Sequence, residues 1–481
     1  MIDKFKQLGK ESLIYGVAGM LNKFIAVFLV PLYTHVFSQE EYGLQGLVLA
    51  TVTLASTLAV MGMDSAVHNW YWQTEQQEDR QTTIASWFWL QMFTAVLLGL
   101  GIYLAADPLS LLIAGDTAAA PLLRLGALTL PLVVSHGVVT NYFRLRRQAK
   151  ATMWYSVVSN LVLVLLTMLF ILGLKMGLPG FFYAQIAAGV GTTLAGALLL
   201  RGTVAPSRVR WSRLREMFPY ALPLVPAAFA FWALGFSDRL FIEKLVSTGQ
   251  VAVYQFAAAL ASAMAMVTGA FTTAWGPFAL SLQRQPDAPQ IYAKVLPAYL
   301  AGGGLVVAGL AFFGPEAVAI LAPPAYAAAA PLAAWLSLGV LINGLAYIAG
   351  TGLALARRSS AFPVAVFLAA GASLALNALL IPAFGITGAA WAAVISWFVY
   401  SAFIFWRAQR IHPLPYSFRR AALLGVLLIS VVLAGPLIVI ESPLLSVLLK
   451  SCLTAAFAAG LLTIALPGWR KTLRRQFSLT V

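Results

Sequence analysis

Cysteine, histidine and charge are all scarce in this 481-residue chain. One cysteine, Cys452, sits inside an apolar run, which excludes a disulfide framework and a thiol-rich metal site. The four histidines, His35, His68, His136 and His412, show no metal-ligand spacing. Charged residues make up only 10% of the chain and hydrophobic ones 61%, with a mean hydropathy of +0.85, so no stretch is left over for a soluble domain. Catalytic signatures are missing too. Gly302-Gly303-Gly304 is not followed by Gly-Lys-Ser/Thr, and Gly9-Lys10-Glu11-Ser12 lacks the spacing of a phosphate loop, so nothing here points to ATP. No Gly-x-Ser-x-Gly elbow occurs. A membrane glycan polymerase or ligase would need a sizeable outer loop, and the outer connections are short throughout. The chain therefore reads as a non-enzyme without a cofactor, and transport is the better class.

What is present is a succession of apolar runs. They begin near Ser12, Gly43, Thr83, Pro121, Thr152, Gly180, Phe218, Val251, Ile291, Ala328, Ala361, Thr387, Ala421 and Leu444. Each covers roughly 20 to 28 residues, enough to cross the hydrocarbon core, which predicts an all-α polytopic membrane protein with about 14 transmembrane helices. The first run passes twenty residues, contains Lys23 and lacks a small-x-small cleavage pattern, so it is expected to stay in the protein.

Charge sets the orientation. If the runs alternate across the membrane, 25 of the 31 Lys and Arg residues fall in stretches on one side, and only Arg124, Lys175, Lys244 and Lys450 lie outside or near the outer ends. Basic loops are retained in the cytoplasm, so both termini are expected inside, in a bacterial inner membrane. The net charge of +15 does not imply nucleic acid, because the basic residues sit at helix ends rather than in one stripe; contact with anionic lipid is a secondary benefit.

The most basic stretch, Arg201 to Arg215 with Pro206, divides the chain. The organisation read here is an N-terminal lobe at residues 1–200 with six spans, a linker at 201–217, a second six-span lobe at 218–410, and two further spans with a basic tail at 411–481. A weak repeat aligns Phe37-Ser38-Gln39-Glu40-Glu41-Tyr42-Gly43-Leu44 with Val246-Ser247-Thr248-Gly249-Gln250-Val251-Ala252-Val253, each the turn after the first span of its lobe. Pro31, Pro219, Pro223, Pro226 and Gly276-Pro277 mark possible kinks in the first helices of each lobe, either as gating elements or as ordinary bends.

Two cations remain within spans. Lys23, beside Asn22, lies about 15 Å from either end of its run at 1.5 Å per residue. A cation there costs about 3 kcal/mol on insertion scales, so it either faces a hydrated interior or pairs with a carboxylate from another span. Arg239 follows Asp238 in span seven; neighbouring helical residues point about 100° apart, so the two need not neutralise each other: either each finds its own partner, with Arg239 in the cavity, or they join a closed ion-pair network. Asp64 ends span two, where it lines the cavity or closes a gate with a nearby basic residue. The run His68-Asn69-Trp70-Tyr71-Trp72 after it reads as an interfacial anchor or as rings for stacking on a sugar. The in-span polar residues His136, Asn160, Gln185, Asn343 and Asn377 read as interhelical hydrogen-bonding glue.

Phe37-Ser38-Gln39-Glu40-Glu41-Tyr42-Gly43, Gly62-Met63-Asp64-Ser65-Ala66, Ser237-Asp238-Arg239 and Phe384-Gly385-Ile386-Thr387-Gly388-Ala389-Ala390 together resemble the polysaccharide-exporting branch of the multidrug/oligosaccharidyl-lipid/polysaccharide flippase superfamily, which includes O-antigen and exopolysaccharide repeat-unit flippases. The two spans beyond twelve are similar to those of peptidoglycan-precursor flippases. The resemblance implies two lobes in a V shape and alternating access. A polyprenyl-pyrophosphate-linked glycan would enter from the cytoplasmic leaflet, with Lys23 and Arg239 attracting its anionic group. It also implies possible coupling to H+ or Na+ and a polysaccharide-assembly partner such as a glycan polymerase. A lipid II flippase is an alternative within the same class. A cation-coupled multidrug exporter would instead prefer an acidic cavity.

Overall fold

The computed structural model describes residues 28–465, except 357, 359 and 439–441, together with 16, 19–22, 24 and 25. Lys23 lies outside the described residues, as do most of the first apolar run and the basic residues of both termini. Among the described residues there is no strand, and twelve helical stretches are long and apolar enough to cross a membrane. One of these, Ala361–Ile411, holds 51 residues and is broken at Gly385, whose φ of 57° and ψ of −140° are not helical. Each half is long enough for its own pass, so the runs expected at Ala361 and Thr387 are both present within it. Large apolar side chains such as Phe93, Leu104, Leu165, Leu198 and Leu379 are well exposed, as an outer surface solvated by lipid requires.

The chain divides into two compact units, one drawn from residues 10–252 and 373–385, the other from 253–372 and 386–481. The first contains α1 (Val30–Val36), α2 (Gln39–Val60), α3 (Met63–Gln73), α4 (Gln77–Leu104), α5 (Ala106–Ala114), α6 (Ala120–Leu145), α7 (Ala149–Met168), α8 (Gly177–Leu199), α9 (Trp211–Ala221) and α10 (Val225–Leu245). The second contains most of α11 (Thr248–Leu282), α12 (Ala288–Leu321), α13 (Ala329–Leu355), most of α14 (Ala361–Ile411), α15 (Phe418–Ala434) and α16 (Pro443–Ala465).

Local chemistry explains where the first unit turns. Ser38 caps α2 reciprocally: its Oγ accepts from Glu41 N at 3.1 Å while its own N donates to Glu41 Oε2 at 2.9 Å. A Cβ on Gly43 would lie 2.1 Å from the carbonyl oxygen of Thr248, so the two turns that align in the sequence are also in contact. Gly43→Val is therefore expected to cost about 1–3 kcal/mol by forcing two backbones apart. Gly101→Ala, at a site with nothing within 4 Å, serves as the control. Melting temperatures in detergent check both, and equal values would refute the close approach. At the other end of α2, Met61 and Gly62 both adopt left-handed conformations, at φ 51° and 69°, and break the run before α3. A Cβ on Gly62 would lie 2.5 Å from Ala221 O, so only glycine lets α9 approach there.

In the second unit α12 forms the centre. Gly303 and Gly304, featureless as a phosphate loop, are packing positions: Cβ atoms there would meet Leu341 Cδ1 at 2.4 Å and Leu428 Cδ2 at 2.8 Å. The last two spans, α15 and α16, both dock on α12 through this surface and through Gly435, whose Cβ would lie 2.8 Å from Ala311 O. Lys450, which the charge count places outside or near an outer end, is paired inside the unit. It is 2% exposed, within α16, with its Nζ 2.5 Å from Glu316 Oε1 on α12.

Candidate functional site

Asp64 occupies the first turn of α3, where the helix dipole favours a negative charge. Its Oδ1 accepts from Trp87 Nε1 at 3.1 Å and Gln91 Nε2 at 2.8 Å, both on α4, and its Oδ2 accepts from Asn141 Nδ2 on α6 at 2.6 Å. Trp87 and Gln91 are fully buried. The expected gate partner was a basic residue, but all three contacts are neutral donors, and Asp64 forms no ion pair among the described residues. A carboxylate accepts at both oxygens, so one small side chain satisfies donors from two other helices at once. The same residue lines a cavity of about 360 Å³ with Ser56, Thr57, Val60, Gly62, Ser65, Leu224 and Ala228, between the α2–α3 break and α10.

Arg239 and Asp238 pair with each other, the ion-pair alternative for these two residues. On α10, Arg239 Nη1 lies 3.2 Å from Asp238 Oδ1 and 3.2 Å from Gly235 O, and the guanidinium sits 5.0 Å from the Phe236 ring centroid. The long arginine side chain folds back along its own helix, which the angular separation of adjacent residues did not anticipate. The two side chains are 13% and 12% exposed. Trp232, two turns earlier, donates to Ala50 O at 3.1 Å and fixes α10 against α2. Asn22 is half-buried, and its Oδ1 has no hydrogen-bond partner among the described residues.

The aromatic run after Asp64 holds cations rather than standing alone. Arg80 lies 4.9 Å from the Tyr71 centroid and 5.5 Å from that of Trp72, and Arg147 lies 5.1 Å from Trp72 on α3. The basic stretch is docked on the start of α4: Arg208 pairs with Gln81 and Arg213 with Asp79, Arg210 N donates to Ser86 Oγ at 3.0 Å, and Trp89 Nε1 donates to Val204 O at 2.9 Å. The sequence read this stretch as a linker, and its specific anchoring was not visible there.

The glue expected of in-span polar groups is also redistributed. Asn160 donates to Ser156 O and Asn377 to Ser373 Oγ, each on its own helix. His136 and Gln185 make no side-chain hydrogen bond among the described residues, and His136 instead stacks on Tyr155 at 5.0 Å and 20°. No group of three or more His, Cys, Asp or Glu capable of holding a metal occurs among the described residues.

Twelve helical stretches long and apolar enough to cross a membrane, with pockets of mixed lining in the first unit, define a multi-pass membrane protein. Residues 8–283 match the family described as "Polysaccharide biosynthesis protein", and the chain belongs to that family. It is 30% identical over 146 residues to the succinoglycan biosynthesis transport protein ExoT of Rhizobium meliloti (strain 1021), a match covering 30% of this chain and 28% of that relative. Its fold is similar to that of the lipid II flippase MurJ in an inward closed conformation, with a TM-score of 0.73 at 13% identity over 96% of this chain and 100% of that one. A MATE P26A mutant superposes with a TM-score of 0.60 at 15% identity, over 88% of this chain and 99% of that one. The all-α polytopic fold and the flippase-superfamily resemblance read from the sequence hold.

Proposed function

We propose that this protein is a flippase that carries a polyprenyl-pyrophosphate-linked oligosaccharide from the cytoplasmic to the outer leaflet of a bacterial inner membrane, by alternating access, for surface polysaccharide assembly. The observation that carries the reading is the membership of a polysaccharide biosynthesis family by a chain of membrane-crossing helices. The likeness to a succinoglycan transport protein favours an exopolysaccharide repeat unit. In this reading both termini are cytoplasmic, and a glycan polymerase or another assembly protein takes the product.

Lys23 is the leading cation for the pyrophosphate. Arg239 enters the same role with Asp238 beside it, so an anion must compete with that carboxylate for the guanidinium. With an inside-negative potential, outward movement of one negative charge gains about 2.3 kcal/mol per 100 mV, which drives the step without ATP; coupling to H+ or Na+ entry is the other source of work. The test is translocation of labelled polyprenyl-pyrophosphate oligosaccharides in liposomes by the purified chain. Acceleration is expected, and none with any such lipid, the host's own included, would overturn the proposal. Lys23→Ala is expected to slow translocation at least about tenfold, the loss of one charge-assisted contact, with insertion and melting temperature retained. Unchanged transport by Lys23→Ala would remove Lys23 from the pathway.

A further inference from the structure

A second cavity, of about 260 Å³, lies inside the first unit between α2, α6, α7 and α8. Three polar side chains in its wall are His136, Asn160 and Gln185. Beyond Asn160's bond to its own helix, their donors and acceptors are uncommitted among the described residues. Five hydroxyls complete the polar lining, and each has its proton engaged: Thr53 with Leu49 O, Ser56 with Thr53 O, Thr129 with Gly126 O, Ser159 with Tyr155 O and Thr192 with Gly189 O, at 2.6–3.1 Å. A hydroxyl whose proton is held by its own helix presents only lone pairs to the cavity. The wall is mainly apolar, with Leu49, Val52, Leu132, Val133 and Leu163 in it, and set among these are hydroxyl acceptors and the polar ends of two carboxamides and one imidazole, as a sugar ring with apolar C–H faces and a polar rim requires. Tyr155 holds the imidazole ring in place, stacking on His136 while its own hydroxyl donates to Thr192 O at 3.0 Å.

No Asp, Glu, Lys or Arg is among the described residues that line this space. An acidic sugar or a pyrophosphate finds no fixed cation there, and a cationic drug finds no carboxylate. The ligand that suits many acceptors and a few amide donors is a neutral polyol, in which every hydroxyl both donates and accepts. The space, about 260 Å³ and partly open, has room for a sugar ring. Ser56 lines both this cavity and the one beside Asp64, so the two adjoin.

We infer that the cavity bounded by His136, Asn160 and Gln185 is a binding subsite for one neutral hexose unit of the transported glycan. The inference rests on the flippase reading for its biological meaning, but binding of a free sugar tests it separately. The purified full chain in nanodiscs is titrated with methyl glucoside, methyl galactoside, methyl glucuronide and tetraphenylphosphonium, with bound ligand followed by saturation-transfer NMR.

The neutral hexosides are expected to bind and to compete with one another. Gln185→Leu and Asn160→Leu, which replace polar groups by apolar ones of similar size, are expected to weaken that binding about tenfold or more, at unchanged melting temperature. Absence of hexoside binding, equal binding by the folded variants, or preference for the glucuronide or the phosphonium ion would overturn the subsite. Parallel liposome assays separate the two claims. A chain that flips lipid-linked oligosaccharide without binding hexosides keeps the transport reading and loses the subsite. One that binds hexosides through Gln185 and Asn160 but flips nothing keeps the subsite and loses the transport reading.

Discussion

Replacing Asp64 by leucine is expected to lower stability by about 3 kcal/mol or more, the largest effect of any single change in the first unit. The carboxylate is the shared acceptor for Trp87 Nε1, Gln91 Nε2 and Asn141 Nδ2. Its removal strands three N–H donors, two of them on fully buried residues, and each unsatisfied donor costs about 1–3 kcal/mol. The losses overlap, because α3, α4 and α6 can relax together once the common acceptor is gone. Asp64→Asn is expected to fall between leucine and the parent, since its amide keeps one accepting oxygen but turns an N–H toward donors. Melting temperatures of the three proteins in detergent order them directly. A leucine variant as stable as the parent would show that the network does not hold these helices.

Breaking the pair between Lys450 and Glu316 is expected to have the next largest effect. Lys450→Met leaves the Glu316 carboxylate with Ser446 Oγ at 2.9 Å as its remaining side-chain donor, while its Oε2 is already buried without a partner. Glu316 is 31% exposed, so the charge left behind is only partly desolvated and its loss of Lys450 costs about 1–3 kcal/mol. The double variant Lys450→Met/Glu316→Leu is expected to recover most of that loss, since apolar side chains of similar size need no desolvation. Recovery in the double variant identifies the pair as a structural lock between α16 and α12. A double variant as unstable as the single one would show that Lys450 serves another purpose.

The consequence for function is that the last two spans are integral to the second unit. As an addition to two six-span lobes they would need no dedicated dock, but their packing on Gly304 and the ion pair of the buried Lys450 with the half-buried Glu316 show that α12 is built to receive them. A polar contact made inside an apolar environment is hard to replace with water, which makes such a dock durable.

How far the residues could be read in advance depended on how local the relevant physics is. Asp64 was noticed, but its partners stand 23, 27 and 77 positions away, and no pattern near Asp64 announces Trp87, Gln91 or Asn141. Lys450 looked like a boundary charge because Glu316 is 134 residues distant. His136, Asn160 and Gln185 each looked like isolated glue, and only the packing of α6, α7 and α8 brings them to one cavity. For Arg239 and Asp238 the deciding geometry is local: adjacent residues point apart on a helix, but a flexible guanidinium reaches back across that angle.

By itself the sequence determined that this protein is a bundle of membrane-crossing helices, because every run of about twenty residues in hydrocarbon must satisfy its own backbone and carry apolar side chains, a condition met or broken within the run. It also marked the turns at Ser38 and Gly62, whose capping and left-handed geometry are short-range. Tertiary structure alone decided which polar groups saturate one another and which are left facing an internal space. That outcome depends on which helices become neighbours, and neighbours are chosen by the packing of whole faces rather than by any residue's own surroundings in the chain.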